Sequence, residues 1–110
     1  MATKDPREPF TRISVAEAKE KIDGGDVQVI DSRTLGEYMG GHVPGAINIP
    51  HMATVSRKGD LAADRDLVFI CQMGQRSALA CEFAAALGFK DLYNVEGGTE
   101  AWIKAGYPVE

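Results

Sequence analysis

Short apolar runs along the chain have the length and composition of buried β-strands. The run at residues 67–70, Leu-Val-Phe-Ile, is continuous, which is typical of a central parallel strand that is covered on both faces. Three further runs are bounded by Gly, Pro, Asn or Asp residues and are also predicted to be strands: 27–31, 46–49 and 92–95. The chain therefore supplies at least four strands for a sheet.

Between these runs, apolar positions recur at helical spacing. Ser14 and Glu17 have the S-x-x-E spacing of a capping box, so a helix is predicted to begin at Ser14 and to end at Gly24-Gly25. Helical segments are also predicted at 35–39, 77–87 and 99–104, which end at Gly40, Gly88 and Gly106. Strands that alternate with helices predict an α/β domain with a mainly parallel sheet.

Length and composition favour one folded domain. The chain has 110 residues, 45% of them hydrophobic, which is enough for a core without metal or disulfide staples. Residues 1–10 are mostly polar and contain Pro6 and Pro9, so a loose N-terminal tail is predicted there, ahead of a single domain at 11–110.

Charge and cysteine content exclude several classes of protein. The net charge of −4 argues against binding to nucleic acid or to an anionic membrane. The longest apolar stretch is too short to span a bilayer, and the first ten residues contain no apolar signal region. Two cysteines cannot form a disulfide scaffold, and together with the missing export signal they favour a reducing cytoplasm.

Candidate chemistry lies at the carboxyl end of the most apolar strand. Ligands of open α/β sheets bind beyond the carboxyl ends of the strands, and Cys71 occupies that place. A short loop follows it and leads into a predicted helix, so several backbone amides can point at one centre. Such surroundings stabilise a thiolate and would also hold an anion beside the sulfur. The competing interpretation is a buried core thiol.

Arg76 adds a local positive charge to this loop. It lies in the first turn of the predicted helix, where the helix dipole favours acids, and it is the only charged residue between Asp66 and Glu82. A thiolate or an anionic substrate would relieve the conflict; alternatively, Arg76 is a solvated surface residue. The second cysteine, Cys81, lies within the helix and is predicted to belong to the core.

Taken together, the motifs resemble single-domain rhodaneses, the thiosulfate sulfurtransferases. Four segments carry the resemblance in order over roughly residues 11–108: 29–33 with Glu37-Tyr38, 41–50, 71–77, and 95–98 with Ala101-Trp102. The resemblance implies a rhodanese-like three-layer fold in which helices flank a mainly parallel central sheet.

The resemblance also implies a reaction. Cys71 would take the outer sulfur of thiosulfate, or of a persulfide or polysulfide donor, and hold it as a persulfide. Cyanide, a small thiol or a protein thiol would then accept the sulfur. No metal or organic cofactor is expected, nor a nucleic-acid or membrane partner.

The family motifs divide the site residues into two groups. The substrate is expected to contact the loop that follows Cys71, which consists of Gln72, Met73, Gly74, Gln75, Arg76 and Ser77. Arg76 would attract an anionic donor. Asp31, Arg33 and His42 are expected to support the site structurally, by hydrogen bonds rather than by catalysis.

Three alternative functions remain open. The domain could be a persulfide carrier that serves a partner protein. Phosphatases and arsenate reductases of the related fold have five residues between Cys and Arg, whereas four separate Cys71 from Arg76, which favours a smaller transferred group. A cysteine–histidine hydrolase is the least favoured, because neither His42 nor His51 lies in a supporting motif.

Overall fold

A computed structural model describes residues 2–110, and its centre is a six-stranded sheet. The strands are β1 (Thr3–Lys4), β2 (Thr11–Ile13), β3 (Val27–Asp31), β4 (Ile47–Asn48), β5 (Asp66–Ile70) and β6 (Leu92–Val95). Their order across the sheet is β1-β2-β6-β5-β3-β4. All neighbours are parallel except β1 and β2, which pair antiparallel. The mainly parallel α/β architecture is therefore confirmed.

Helices cover both faces of the sheet and complete three layers. They are α1 (Val15–Gly24), α2 (Leu35–Met39), α3 (Gln75–Ala86) and α4 (Gly98–Lys104). Because side chains alternate along a strand, Leu67 and Phe69 of β5 pack on the side of α3, whereas Val68 and Ile70 pack with Trp102 of α4. This two-sided burial explains why the β5 sequence is continuously apolar.

Local sequence signals determine most helix ends. Ser14 caps α1 through the predicted capping box, in which its hydroxyl accepts from the amide of Glu17 at 3.1 Å and its own amide donates to the Glu17 carboxylate at 2.8 Å. Gly25 closes α1 in the left-handed conformation, with φ of +80°. Helix α3 begins at Gln75, two residues before the predicted start, and its N-cap is Gly74 in the left-handed conformation, with φ of +115°.

The N-terminal segment differs from the loose tail predicted for residues 1–10. Thr3 and Lys4 pair with Arg12 and Thr11, and Phe10 is only 2% exposed within the core beside α3. Strands β1 and β2 are two and three residues long, too short to show an alternating pattern in the sequence. The polar, proline-containing sequence therefore gave no indication of this pairing.

The remaining differences are small. The second predicted strand, 46–49, is reduced to Ile47–Asn48, and the weakly patterned segment after it forms two single turns of 3₁₀-helix at His51–Ala53 and Lys58–Asp60. No helix in the described part of the chain is both long and apolar enough to cross a membrane.

The parallel topology brings three strand ends to one edge of the sheet. Strand β5 lies between β3 and β6, so Cys71 follows β5 with Ser32 on one side and Glu96 on the other. The amide of Ser32 donates to the carbonyl of Ile70 at 2.7 Å, which continues the strand pairing up to this edge. Cys71 therefore lies at the centre of this edge.

Candidate active site

The thiol of Cys71 is buried but surrounded by hydrogen-bond donors. The residue is 1% exposed, and its Sγ receives the amide of Gly74 at 3.0 Å and the hydroxyl of Ser77 at 3.3 Å. Burial alone raises the pKa of this thiol, but the Ser77 hydroxyl and the amides of Ser77, Gly74 and Met73 outweigh burial and lower the pKa below its ordinary value. The loop thus stabilises a thiolate.

Helix α4 holds the Cys71 loop in place through hydrogen bonds to its backbone carbonyls. The carbonyl of Cys71 accepts from the amide and the hydroxyl of Thr99 at 2.8 and 3.0 Å, and the carbonyl of Gln72 accepts from the amide of Glu100 at 3.1 Å. Since the C=O and N–H of a trans peptide point in opposite directions, these contacts turn the amides of Gln72 and Met73 away from α4. The Met73 amide is thereby free to face the sulfur.

This close approach requires glycine at position 98. Gly98 has φ of +59°, and a Cβ there would lie 2.5 Å from the carbonyl oxygen of Cys71 and 2.6 Å from that of Gln72. Any larger residue would push α4 away from the loop. Gly98, which lies in the 95–98 segment of the family motifs, thus has a direct steric role at the site.

Asn94 is a site residue that sequence reasoning missed. Its side-chain amide is fully buried and donates to the carbonyl of Gly74 at 3.1 Å, and its Oδ1 lies within hydrogen-bond distance of the Ser77 hydroxyl. The single hydroxyl proton of Ser77 thus has three acceptors within reach: Asn94 Oδ1, Cys71 Sγ at 3.3 Å and the carbonyl of Gly74 at 3.3 Å. The available signal was an amide side chain within the otherwise apolar strand at 92–95.

Arg76 occupies the first turn of α3 as predicted, but its partner is a carboxylate of the chain itself. Its guanidinium donates from Nη1 and Nη2 to the two carboxylate oxygens of Glu37 at 2.7 and 2.9 Å. This fork lowers the pKa of Glu37 to about 2, against the opposing effect of partial burial. Glu37 therefore relieves the conflict with the helix dipole that the sequence had assigned to a thiolate or substrate.

Asp31 and Arg33 form a buried pair that joins three segments. The Arg33 Nη2 lies 2.8 Å from Asp31 and donates to the carbonyl of Gly41 at 2.7 Å, while Nη1 donates to the Gln72 side chain at 3.3 Å. Arg33 thus connects the end of β3, the segment after α2 and the Cys71 loop. This geometry suits the supporting role expected of the pair.

His42 makes structural contacts. Its ring stacks on Tyr38 at a centroid distance of 3.7 Å, and its Nδ1 lies 2.9 Å from the carbonyl of Tyr38. Its backbone pairs with Glu110 through two hydrogen bonds. His51 begins the 3₁₀ turn that follows Pro50, and its amide donates to the carbonyl of Ser32 at 3.0 Å. Within the described residues, the groups that donate to the Cys71 sulfur do not include the imidazole of His42 or of His51.

The other loop residues lie at the surface. Gln75 is exposed at the start of α3, and Met73 is 55% exposed. Met73 and Gln75 border a cavity of about 220 Å³, whose other lining residues are Arg12, Gly74, Ala78 and Glu96. The six predicted loop residues are thus brought together around Cys71, but only the Met73, Gly74 and Ser77 groups face its sulfur.

The surroundings of the loop are not positive, contrary to the sequence-based expectation. Arg33 is paired with Asp31 and Arg76 with Glu37. Arg12, beside the cavity, contacts both Glu8 and Glu96. Three arginines thus face four carboxylates, none of which lies in the segment 71–77 itself. The charge of the linear segment gave no indication of this compensation.

Cys81 is a core residue, as predicted. It is fully buried on α3, where Sγ lies 3.8 Å from the carbonyl oxygen of Tyr93, and burial raises the pKa of its thiol well above the usual value. Both cysteines are free. No group of three or more His, Cys, Asp and Glu side chains within residues 2–110 is arranged to hold a metal ion.

Comparison with known proteins gives consistent matches. The family model described as a rhodanese-like domain matches residues 14–105. The thiosulfate sulfurtransferase GlpE of Shewanella oneidensis is 31% identical, over 87% of this chain and 95% of its own. A putative sulfur carrier protein of Bacillus subtilis, YrkF, is 32% identical over 82% of this chain and 49% of its own. The crystal structure of a rhodanese-related protein from Thermoplasma volcanium superposes with a TM-score of 0.82, at 36% identity over 90% of this chain and 96% of that one.

Proposed function

The chain belongs to the rhodanese-like domain family, and we propose that it is a sulfurtransferase that carries a sulfane sulfur on Cys71. The observation that carries the proposal is the donor set around this thiol: the Gly74 amide at 3.0 Å and the Ser77 hydroxyl at 3.3 Å stabilise a thiolate at the end of β5. A thiolate is the form of cysteine that attacks sulfur.

In the first half-reaction, the Cys71 thiolate attacks the outer sulfur of the donor. With thiosulfate, a new S–S bond forms at Cys71 while the donor S–S bond breaks, and sulfite leaves with the bonding electrons. The product is a persulfide anion on Cys71. We expect the loop amides that face the Cys71 sulfur, those of Met73, Gly74 and Ser77, to stabilise its terminal sulfur, together with the partial positive charge of the N-terminus of α3.

In the second half-reaction, an acceptor nucleophile attacks the terminal sulfur and restores the Cys71 thiolate. Cyanide, a small thiol and a protein thiol are all chemically suited to this step. Because donor and acceptor use the same cysteine in turn, ping-pong kinetics are expected. We place this cycle in a reducing cytoplasm, where the resting cysteine stays reduced and forms no disulfide.

A persulfide carrier is the second candidate. The similarity to the putative sulfur carrier protein YrkF favours it, although this chain spans only about half of that relative. A carrier would use the same Cys71 chemistry but would receive its sulfur from a protein. By contrast, a phosphatase is disfavoured, because four residues between Cys71 and Arg76 enclose a smaller group than five.

Mass spectrometry after incubation with thiosulfate tests the proposal. The expected result is one added sulfur atom on the peptide that contains Cys71, removed by cyanide with formation of thiocyanate. Cys71→Ser is the negative control, which should gain no sulfur atom. Turnover of an aryl phosphate without any sulfur adduct would overturn the proposal, whereas loading only from a partner protein's persulfide would identify a carrier.

A further inference from the structure

The ion pair between Glu37 and Arg76 lies beside the Cys71 loop and is partly exposed to solvent. The two side chains are 35% and 32% exposed, and the guanidinium engages both oxygens of the carboxylate. This fork uses two of the five N–H donors of the guanidinium and compensates its positive charge with the Glu37 carboxylate. An anionic donor that approaches Arg76 therefore meets a guanidinium whose charge is already compensated by Glu37.

Glu37 is held in place independently of Arg76. Its carboxylate accepts from the amide of Thr34 at 3.1 Å and from the hydroxyl of Thr34 at 3.0 Å, in the capping box of α2. The carboxylate is thus positioned by the start of its own helix. Moving the carboxylate away from Arg76 would also disturb this helix cap. The ion pair therefore resists displacement by an anionic donor.

Neighbouring arginines do not replace Arg76 as an anion site. Arg33 is buried and its guanidinium already donates to Asp31, Gly41 and Gln72. Arg12 is shared between Glu8 and Glu96. A thiosulfate dianion that approaches the loop therefore meets guanidinium groups already neutralised by carboxylates.

We propose that Glu37 is a specificity-determining residue, which disfavours thiosulfate and favours the terminal sulfur of a small organic persulfide as the donor. This inference rests on the proposed sulfurtransferase function. In the favoured reaction, the Cys71 thiolate attacks the outer sulfur of R–S–SH, the donor S–S bond breaks, and R–S⁻ leaves while Cys71 retains the S–SH group. The donor brings no dianionic group to the loop, so the neutralised Arg76 is no disadvantage.

The experiment compares Glu37→Gln with the unmodified chain, using thiosulfate and cysteine persulfide as donors and cyanide as the acceptor. Glutamine preserves the capping box but removes the charge. We expect kcat/KM for thiosulfate to rise about tenfold, because Arg76 regains an uncompensated charge near a dianion. The gain should shrink as ionic strength increases. The value for cysteine persulfide should change less than about twofold.

The chain offers a matched control in Glu17→Gln. Glu17 occupies the same capping-box position at the start of α1, so this variant has the same substitution and the same change in net charge. Both donors should be used at unchanged rates by this control. Thermal unfolding of both variants establishes that they remain folded.

The possible outcomes separate this inference from the proposed function. An unchanged or lower kcat/KM for thiosulfate in Glu37→Gln, an equal change for both donors, or the same change in Glu17→Gln would overturn the specificity role while leaving sulfur transfer intact. If neither donor adds sulfur to Cys71 in the unmodified chain, the proposed function fails, and the specificity role fails with it.

Discussion

The two cysteines lie ten residues apart and are both buried, yet their surroundings act on them in opposite directions. Cys71 follows a strand at the sheet edge, where amides and a hydroxyl face its sulfur and lower its pKa. Cys81 lies inside α3 against apolar neighbours, where burial raises its pKa. The comparison shows that burial alone does not decide reactivity. The decisive feature is whether the backbone turns its donors towards the sulfur.

The largest expected difference between the two cysteines is in activity. Cys71→Ser should reduce sulfur transfer by a factor on the order of 1,000 or more, because serine cannot carry the sulfur. Cys81→Ser should retain sulfur transfer, with a loss of stability of about 1–2 kcal/mol from placing a hydroxyl in the core. Steady-state rates and urea unfolding measure both effects. Equal rates in the two variants would invalidate the distinction.

A second variant tests whether α4 positions the loop. Gly98→Ala should destabilise the fold by about 3 kcal/mol, because the new Cβ would clash with the carbonyl of Cys71 at a strained φ. Gly59→Ala is the control, since a Cβ at Gly59 meets no atom within 4 Å. Chemical denaturation measures the free energy of unfolding of both variants. Similar stability of the two variants would mean that the contact between α4 and the loop is not constraining.

The Ser77 hydroxyl is expected to contribute a smaller effect. Ser77→Ala removes a donor to the Cys71 sulfur, so the pKa of the thiol should rise and sulfur transfer at neutral pH should fall about tenfold. Thr99→Val is the control, because the Thr99 hydroxyl contacts the Cys71 carbonyl instead of the sulfur. The pH dependence of alkylation separates the two: a midpoint that moves equally in both variants would argue against a direct role for Ser77.

Much of the fold was predictable because its signals are local. The capping box at Ser14, the glycines at helix ends and the apolar β5 each depend on a few adjacent residues. Strands β1 and β2 escaped prediction because they are too short to show a pattern and acquire their structure from pairing. Phe10 is buried by tertiary packing, although polar residues and prolines precede it.

The site shows the same division. The position of Cys71 at the end of β5 was predictable because it directly follows the most apolar run. The short length of the segment before α3 indicated that its backbone amides could face the sulfur. The partner of Arg76 was not, because Glu37 lies 39 residues away and meets it only when α2 folds beside the loop. Asn94 was missed for a related reason: its contacts with Gly74 and Ser77 form only across the sheet edge.

The pH dependence of alkylation at each cysteine tests the central claim most directly. The native chain is treated with iodoacetamide between pH 5 and 10, and the modification of each cysteine is measured by peptide mass spectrometry. Cys71 is predicted to react with a midpoint below the roughly 8.5 of a free cysteine, while Cys81 remains unmodified until the chain unfolds. A Cys71 midpoint at or above that value, or faster modification of Cys81, would contradict the account.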